Sequence, residues 1–145
     1  MALDVERVVS GSYGELWEDG VWQENVNNLT AEVAIEKNAL KVSGTRWSKH
    51  KVVGLNGTGT ASGFKVTSKM IQQAKWAEGD RGVPYSTEFI SKLDDPEAYG
   101  HERIRIKNVK FDKVTLANWT AGQEVTEEIP FTFEGFELLD PIEEL

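Results

Sequence analysis

The chain has no cysteine, which excludes disulfides and thiol chemistry and is compatible with a reducing compartment. Its two histidines, His50 and His101, belong to no metal-spaced cluster such as H-E-x-x-H. No window approaches the ~18 apolar residues of a membrane span. Met1 is not followed by a basic segment and an apolar run, so neither a membrane partner nor a secretory leader is expected. Acids are missing from one stretch and bases from another. Between Lys37 and Ala77 there is no Asp or Glu, and from Val114 to Leu145 there is no Lys or Arg.

Catalytic patterns are missing as well. Gly54 to Thr60 is rich in glycine, but it lacks the G-K-[ST] ending of a phosphate-cradling loop and leads into a strand pattern. Asp94, Asp95 and Glu97 lack the alternation and the later bidentate Glu of a calcium loop, and read as a polar turn around Pro96. No acid–base or nucleophile pair stands out. The expectation is a protein that is not an enzyme, with no catalytic residue, cofactor or metal.

What remains is an ordinary globular composition. At 145 residues, 39% hydrophobic and 28% charged, the chain reads as a single domain, 1–145. The dominant period is two. Leu29, Ala31, Val33 and Ile35 alternate with Thr30, Glu32, Ala34 and Glu36, as in a strand with one buried face. Asp19-Gly20 between Leu16-Trp17 and Val21-Trp22 signals a hairpin whose type I′ turn needs positive φ. Arg103, Arg105 and Lys107 interleave with Ile104 and Ile106, and the apolar parity then shifts to Val109 and Phe111. That shift predicts a bulge or bend near Asn108. Ile129, Phe131 and Phe133 alternate too. Pro130 cannot donate to a ladder, so its strand should be an edge or its nitrogen should point outward.

One helix is expected over about 69–78. Ser68 would cap it, Met70, Ile71, Ala74 and Ala77 would form its apolar face, and Gly79 would end it. Two segments read as loops, a long basic one at about 43–57 and another at 94–100. The fold class is therefore mainly β: a single-domain barrel or sandwich of six to eight strands with one flanking α-helix.

Charge points to function. The 41 residues from Lys37 to Ala77 carry +8 and the other 104 carry −16. A chain with one basic and one acidic region can meet a copy of itself head to tail. Arg46, Trp47, Lys49, His50 and Lys51 in the basic loop are the candidate contact residues, with Glu134, Glu137, Asp140, Glu143 and Glu144 as candidate acidic partners. Single-strand nucleic-acid binders also mix cations with aromatics, but a net charge of −8 repels a polyanion except at one patch. A different class of function is a monomeric small β-barrel that binds a ligand with exposed tryptophans, here Trp17, Trp22, Trp47 and Trp119.

The sequence also resembles the XkdM-like family of phage tail-tube proteins. The likeness is carried by Asn56-Gly57-Thr58-Gly59-Thr60 with Lys65-Val66-Thr67-Ser68-Lys69, and by Glu127-Glu128-Ile129-Pro130-Phe131-Thr132-Phe133-Glu134-Gly135-Phe136. Asp19-Gly20, Gly44, Leu93-Asp94-Asp95 and Phe111-Asp112 extend it over nearly the whole chain. The resemblance implies a subunit of a contractile phage tail or phage-tail-like particle that forms stacked hexameric rings around a conduit. It implies that the long loop reaches the neighbouring ring. It also implies tail sheath and baseplate or initiator proteins as partners, DNA only as transiting cargo, and assembly in the host bacterial cytoplasm. The first hairpin, with Trp17 and Trp22, is more aromatic than the family leads one to expect.

Overall fold

The computed structural model describes residues 3–74 and 86–143. Eight strands follow in order: β1 (Gly14–Glu18), β2 (Val21–Trp22), β3 (Val26–Lys41), β4 (Ser48–Phe64), β5 (Thr87–Leu93), β6 (Glu102–Phe111), β7 (Thr126–Phe133) and β8 (Gly135–Asp140). One helix, α1 (Lys69–Ala74), lies between β4 and β5. Of the helix expected over 69–78, the part beyond 74, with Ala77 and the terminating Gly79, lies outside the described residues. Every ladder is antiparallel, and the strand order is β2-β1-β5-β6-β7-β4-β3, with β8 added on β6. The path ends on β2 and β3 with no ladder between them, so the sheet is open and not a closed barrel.

Local chemistry explains the turns. Asp19 and Gly20 both have positive φ, 49° and 82°, as the β1–β2 hairpin requires, and Trp17 pairs with Trp22 across it. The bend in β6 is a bulge. Thr87 pairs with Val109 and Phe89 with Ile106, so two steps along β5 match three along β6, and Asn108 takes the extra place at φ 52°. The bulge returns Val109 to the buried face that Ile106 already occupies. It also lets β6 serve three ladders, with β5 and β8 along its first half and with β7 at Lys110 and Phe111.

Leu16, Ala61, Phe89, Ile106, Val109, Phe131 and Phe133 make the core, with the Phe89 and Phe131 rings edge to face at 5.2 Å. Gly57 faces Phe133 and Gly59 faces Phe131 across the β4–β7 ladder, so the two most distinctive sequence blocks are cross-strand partners. A Cβ on Gly57 would stand 2.5 Å from the Phe133 ring, and glycine is there because the ring crosses its strand.

Pro130 resolves differently from the simplest expectation. Its strand is interior, between β4 and β6. However, β6 pairs with β7 only through residues 131 and 132, and the Pro130 carbonyl accepts from the Asp112 amide at 2.9 Å. A residue's N and O point to the same side of a strand. The proline nitrogen therefore faces away from β4, where β6 ends, and no ladder bond is lost.

Candidate functional site

The segment read as a loop at 43–57 is mostly strand. Pairing of β3 with β4 continues to Lys41 and Ser48, leaving only residues 42–47 as the connection. Glycine and serine made this stretch look irregular. Gly54 and Gly57 instead accommodate neighbours, as at Gly54, where a Cβ would meet the Glu36 carboxylate at 3.0 Å, while Gly44 takes a positive φ in the turn.

Among the described residues, no third strand pairs with β3 or β4 beyond the level of Val33 and Gly57. The remaining eight residues of β3 and their partners form a two-stranded ribbon that projects about 26 Å from the body. Such a ribbon is marginal alone in water. Between 34 and 56 every residue is exposed except Gly54, which is half-buried.

The ribbon's two faces differ. Cross-strand partners share a face, so Val33, Ile35 and Leu55 continue the face on which Gly57 and Ala61 are buried in the body. A register shift between Glu36 and Lys37, against Gly54 and Val52, places a bulge at Val53. Beyond it, Lys37, Val52, Ala39, His50 and Lys41 share that face, and Asn38, Lys51, Leu40 and Lys49 share the other. Lys49 and Lys51 thus point away from His50. Arg46 and Trp47 sit in the turn, where the Trp47 amide donates to Thr45 Oγ1 at 3.1 Å and the indole is 83% exposed. The apolar strip of Ile35, Val52 and Leu55 was not foreseen as part of the site, although the alternation through Ile35 already signalled it.

The candidate acids are placed elsewhere. Glu134 reaches Lys110 and Asn108, both at 3.3 Å. Glu137 lies 3.5 Å from Arg105 and 3.6 Å from Lys107. Asp140 accepts from Arg103 at 2.5 Å and meets His101 at 3.1 Å. These are rungs of a charge ladder across β5, β6 and β8, which Arg105 extends by a two-pronged hydrogen bond to Glu88, at 2.5 and 2.8 Å. The Arg103 guanidinium holds the Asp140 carboxyl below its usual range, and Arg105 does the same for Glu88. Glu143 is exposed beyond β8, and Glu144 lies outside the described residues. The alternation of Arg103, Arg105 and Lys107 is the sequence signal of this ladder.

The tryptophans do not form one platform. Trp17 and Trp22 stack on each other at 6.3 Å and 19°, whereas Trp47 and Trp119 stand at opposite ends of the β3–β4–β7 layer. Among the described residues no group of three or more His, Asp or Glu is arranged to hold a metal ion.

Residues 1–140 match the family model described as phage tail tube protein. The chain is 34% identical over 139 residues, 95% of each chain, to phage-like element PBSX protein XkdM of Bacillus subtilis strain 168. In fold it is similar to the chain from the PVC extracellular contractile injection system sheath/tube terminator in its extended state. The TM-score is 0.76 at 7% identity, over 94% of this chain and 100% of that one. A chain of the PVC sheath–tube complex gives 0.73 at 7% identity, covering 92% and 93%.

Proposed function

This chain belongs to the phage tail tube protein family and is a tail-tube subunit, and we propose that it builds hexameric rings that stack into the tube of a contractile tail or phage-tail-like particle. One observation carries the stacking part of that reading. The ribbon extends its apolar strip and its cations beyond the body, where they stand exposed. A neighbouring copy would supply the missing surface. Ring closure would likewise cover the outer edge of β3, which has no ladder partner among the described residues.

The face of the β3–β4–β7 layer opposite the core suits the wall of a conduit. Over the body it carries Thr30, Glu32, Thr58, Thr60, Glu128 and Thr132. Lys110, which shares that face through its pairing with Thr132, is tied to Glu134. A wall of hydroxyls and carboxylates offers a passing polyanion no counter-charge to stick to. The sheath and the baseplate or initiator complex are the remaining partners of this reading, with DNA as transiting cargo only in a phage.

Negative-stain electron microscopy of the purified chain at high concentration, with and without tube-initiating tail proteins, is the test. Tubes of uniform width with six-fold end views are expected. A monomer under every condition would overturn the reading.

A further inference from the structure

Which part of the next copy receives the ribbon follows from where strand ends lie in the β3–β4–β7 layer. The ribbon leaves this layer at the end where Lys41 pairs with Ser48. At the other end Val26 pairs with Gly63 and Phe64 with Thr126, so the 112–125 connection that feeds β7 lies at the opposite pole. About 50 Å of extended strand separates the two, at ~3.3 Å per residue from Ser48 to Phe64.

The poles are chemically complementary. Residues 34–56 hold five Lys or Arg against one Glu, a net +4, and none of these cations joins an ion pair found among the described residues. The far pole, residues 112–128, holds Asp112, Glu124, Glu127 and Glu128 against Lys113, a net −3, and Asp112, Glu124 and Glu128 are likewise in none of those pairs, in contrast to Glu134 and the β8 acids that β6 already holds. Each pole also exposes large apolar groups, Trp47 at 83% on the ribbon, and Leu116 at 70% and Trp119 at 75% on the connection.

We infer that the 112–125 connection and the start of β7 form the seat for the ribbon of a second copy, Trp47 packing against Leu116 and Trp119 while Lys49 and Lys51 meet Glu124 and Glu128. Because seat and ribbon lie at opposite poles, the contact is head to tail, and repeating it gives open-ended growth rather than a closed pair. The inference rests on the tail-tube reading and adds the acceptor to it.

The absence of cysteine makes a direct test available. In tubes grown from the chain carrying Arg46→Cys and Glu124→Cys, mild oxidation is expected to give a ladder of covalent multimers on a denaturing gel. Arg46→Cys with Glu137→Cys is expected to give none. A ladder from the second pair alone, or from neither pair in intact tubes, overturns the seat while leaving the tail-tube reading standing.

A charge swap covers variants that assemble poorly. Glu124→Lys with Glu128→Lys should raise the protein concentration needed for growth about tenfold, because a lattice repeats each small ion-pair effect. Adding Lys49→Glu and Lys51→Glu to the same chain should restore growth. A swapped chain that keeps its circular dichroism but stays unassembled overturns the pairing. If the unaltered chain forms no tubes on its initiator proteins, the tail-tube reading fails, and the seat with it.

Discussion

Gly59 lies directly across the ladder from Phe131, and the phenyl ring fills the space where a side chain at 59 would begin. A Cβ there would be 2.5 Å from the ring Cζ and 2.4 Å from the Thr30 carbonyl oxygen. Ring and backbone close on it from two sides, so neither can yield alone.

Gly59→Ala is therefore expected to destabilise the chain by about 1–3 kcal/mol, the usual cost of overpacking a tight site. Urea unfolding of the unassembled subunit measures it. Gly135→Ala is the control, since its Cβ would come no closer than 3.8 Å, to Lys107. It should shift stability by less than about 0.5 kcal/mol. Equal effects at both positions would show that the phenyl-over-glycine packing is not what glycine serves.

Acid should weaken the β5–β6–β8 ladder. Glu88 and Asp140 have carboxyl pKa values depressed by hydrogen bonds from Arg105 and Arg103. A depressed carboxyl stabilises the fold above its unfolded pKa, near 4, and that contribution disappears as pH falls through the lower folded value. Urea midpoints should thus drop below about pH 4, and the drop should be shallower in Arg105→Gln. An unchanged pH profile in that variant would remove Arg105 from the acid response.

Glu127 should behave in the opposite sense. Burial raises its pKa and outweighs the attraction of Lys65. A raised carboxyl costs stability while ionised, and the cost is relieved as pH falls through the folded value. Glu127→Gln should accordingly stabilise the subunit at pH 7, with the gain vanishing in acid. Thermal melts at pH 7 and pH 4 decide it, and a variant less stable at pH 7 refutes it.

Lys49→Glu with Lys51→Glu should leave the melting temperature of the unassembled subunit within a few degrees, because both side chains are exposed on the ribbon. Tube growth should stop. Normal-length tubes in electron micrographs would remove these lysines from the stacking contact.

Salt separates the two parts of the ribbon's contact. Exposed charges are screened beyond about 8 Å at physiological ionic strength, whereas apolar burial by Trp47 is not. Growth of the unaltered chain should weaken but persist at 0.5 M NaCl, and Trp47→Ala should fail there first. If both respond to salt alike, Trp47 is not an anchor.

The alternating strands, the Asp19-Gly20 hairpin and the β6 bulge were legible because each depends on neighbours a few residues apart. A parity shift from Ile106 to Val109 can only be repaired by an extra residue, and Asn108 tolerates the positive φ that it needs. The loop expected at 43–57 misread glycine composition. Gly54 and Gly57 mark close approach by Glu36 and Phe133, which lie 18 and 76 residues away and cannot be paired with them from composition.

A mainly β chain with sorted charge and no thiol chemistry was readable from residue order alone, and its motifs placed it with tail-tube proteins. Tertiary structure decided which charges are free. The acids of β8 and the cations of β6 are far apart in sequence but adjacent in register, so they satisfy each other, while the ribbon's cations and Asp112, Glu124 and Glu128 face solvent at opposite poles. Strand register makes that selection, because sliding a strand by one residue turns every side chain to the other face. No reading of local pattern contains that information.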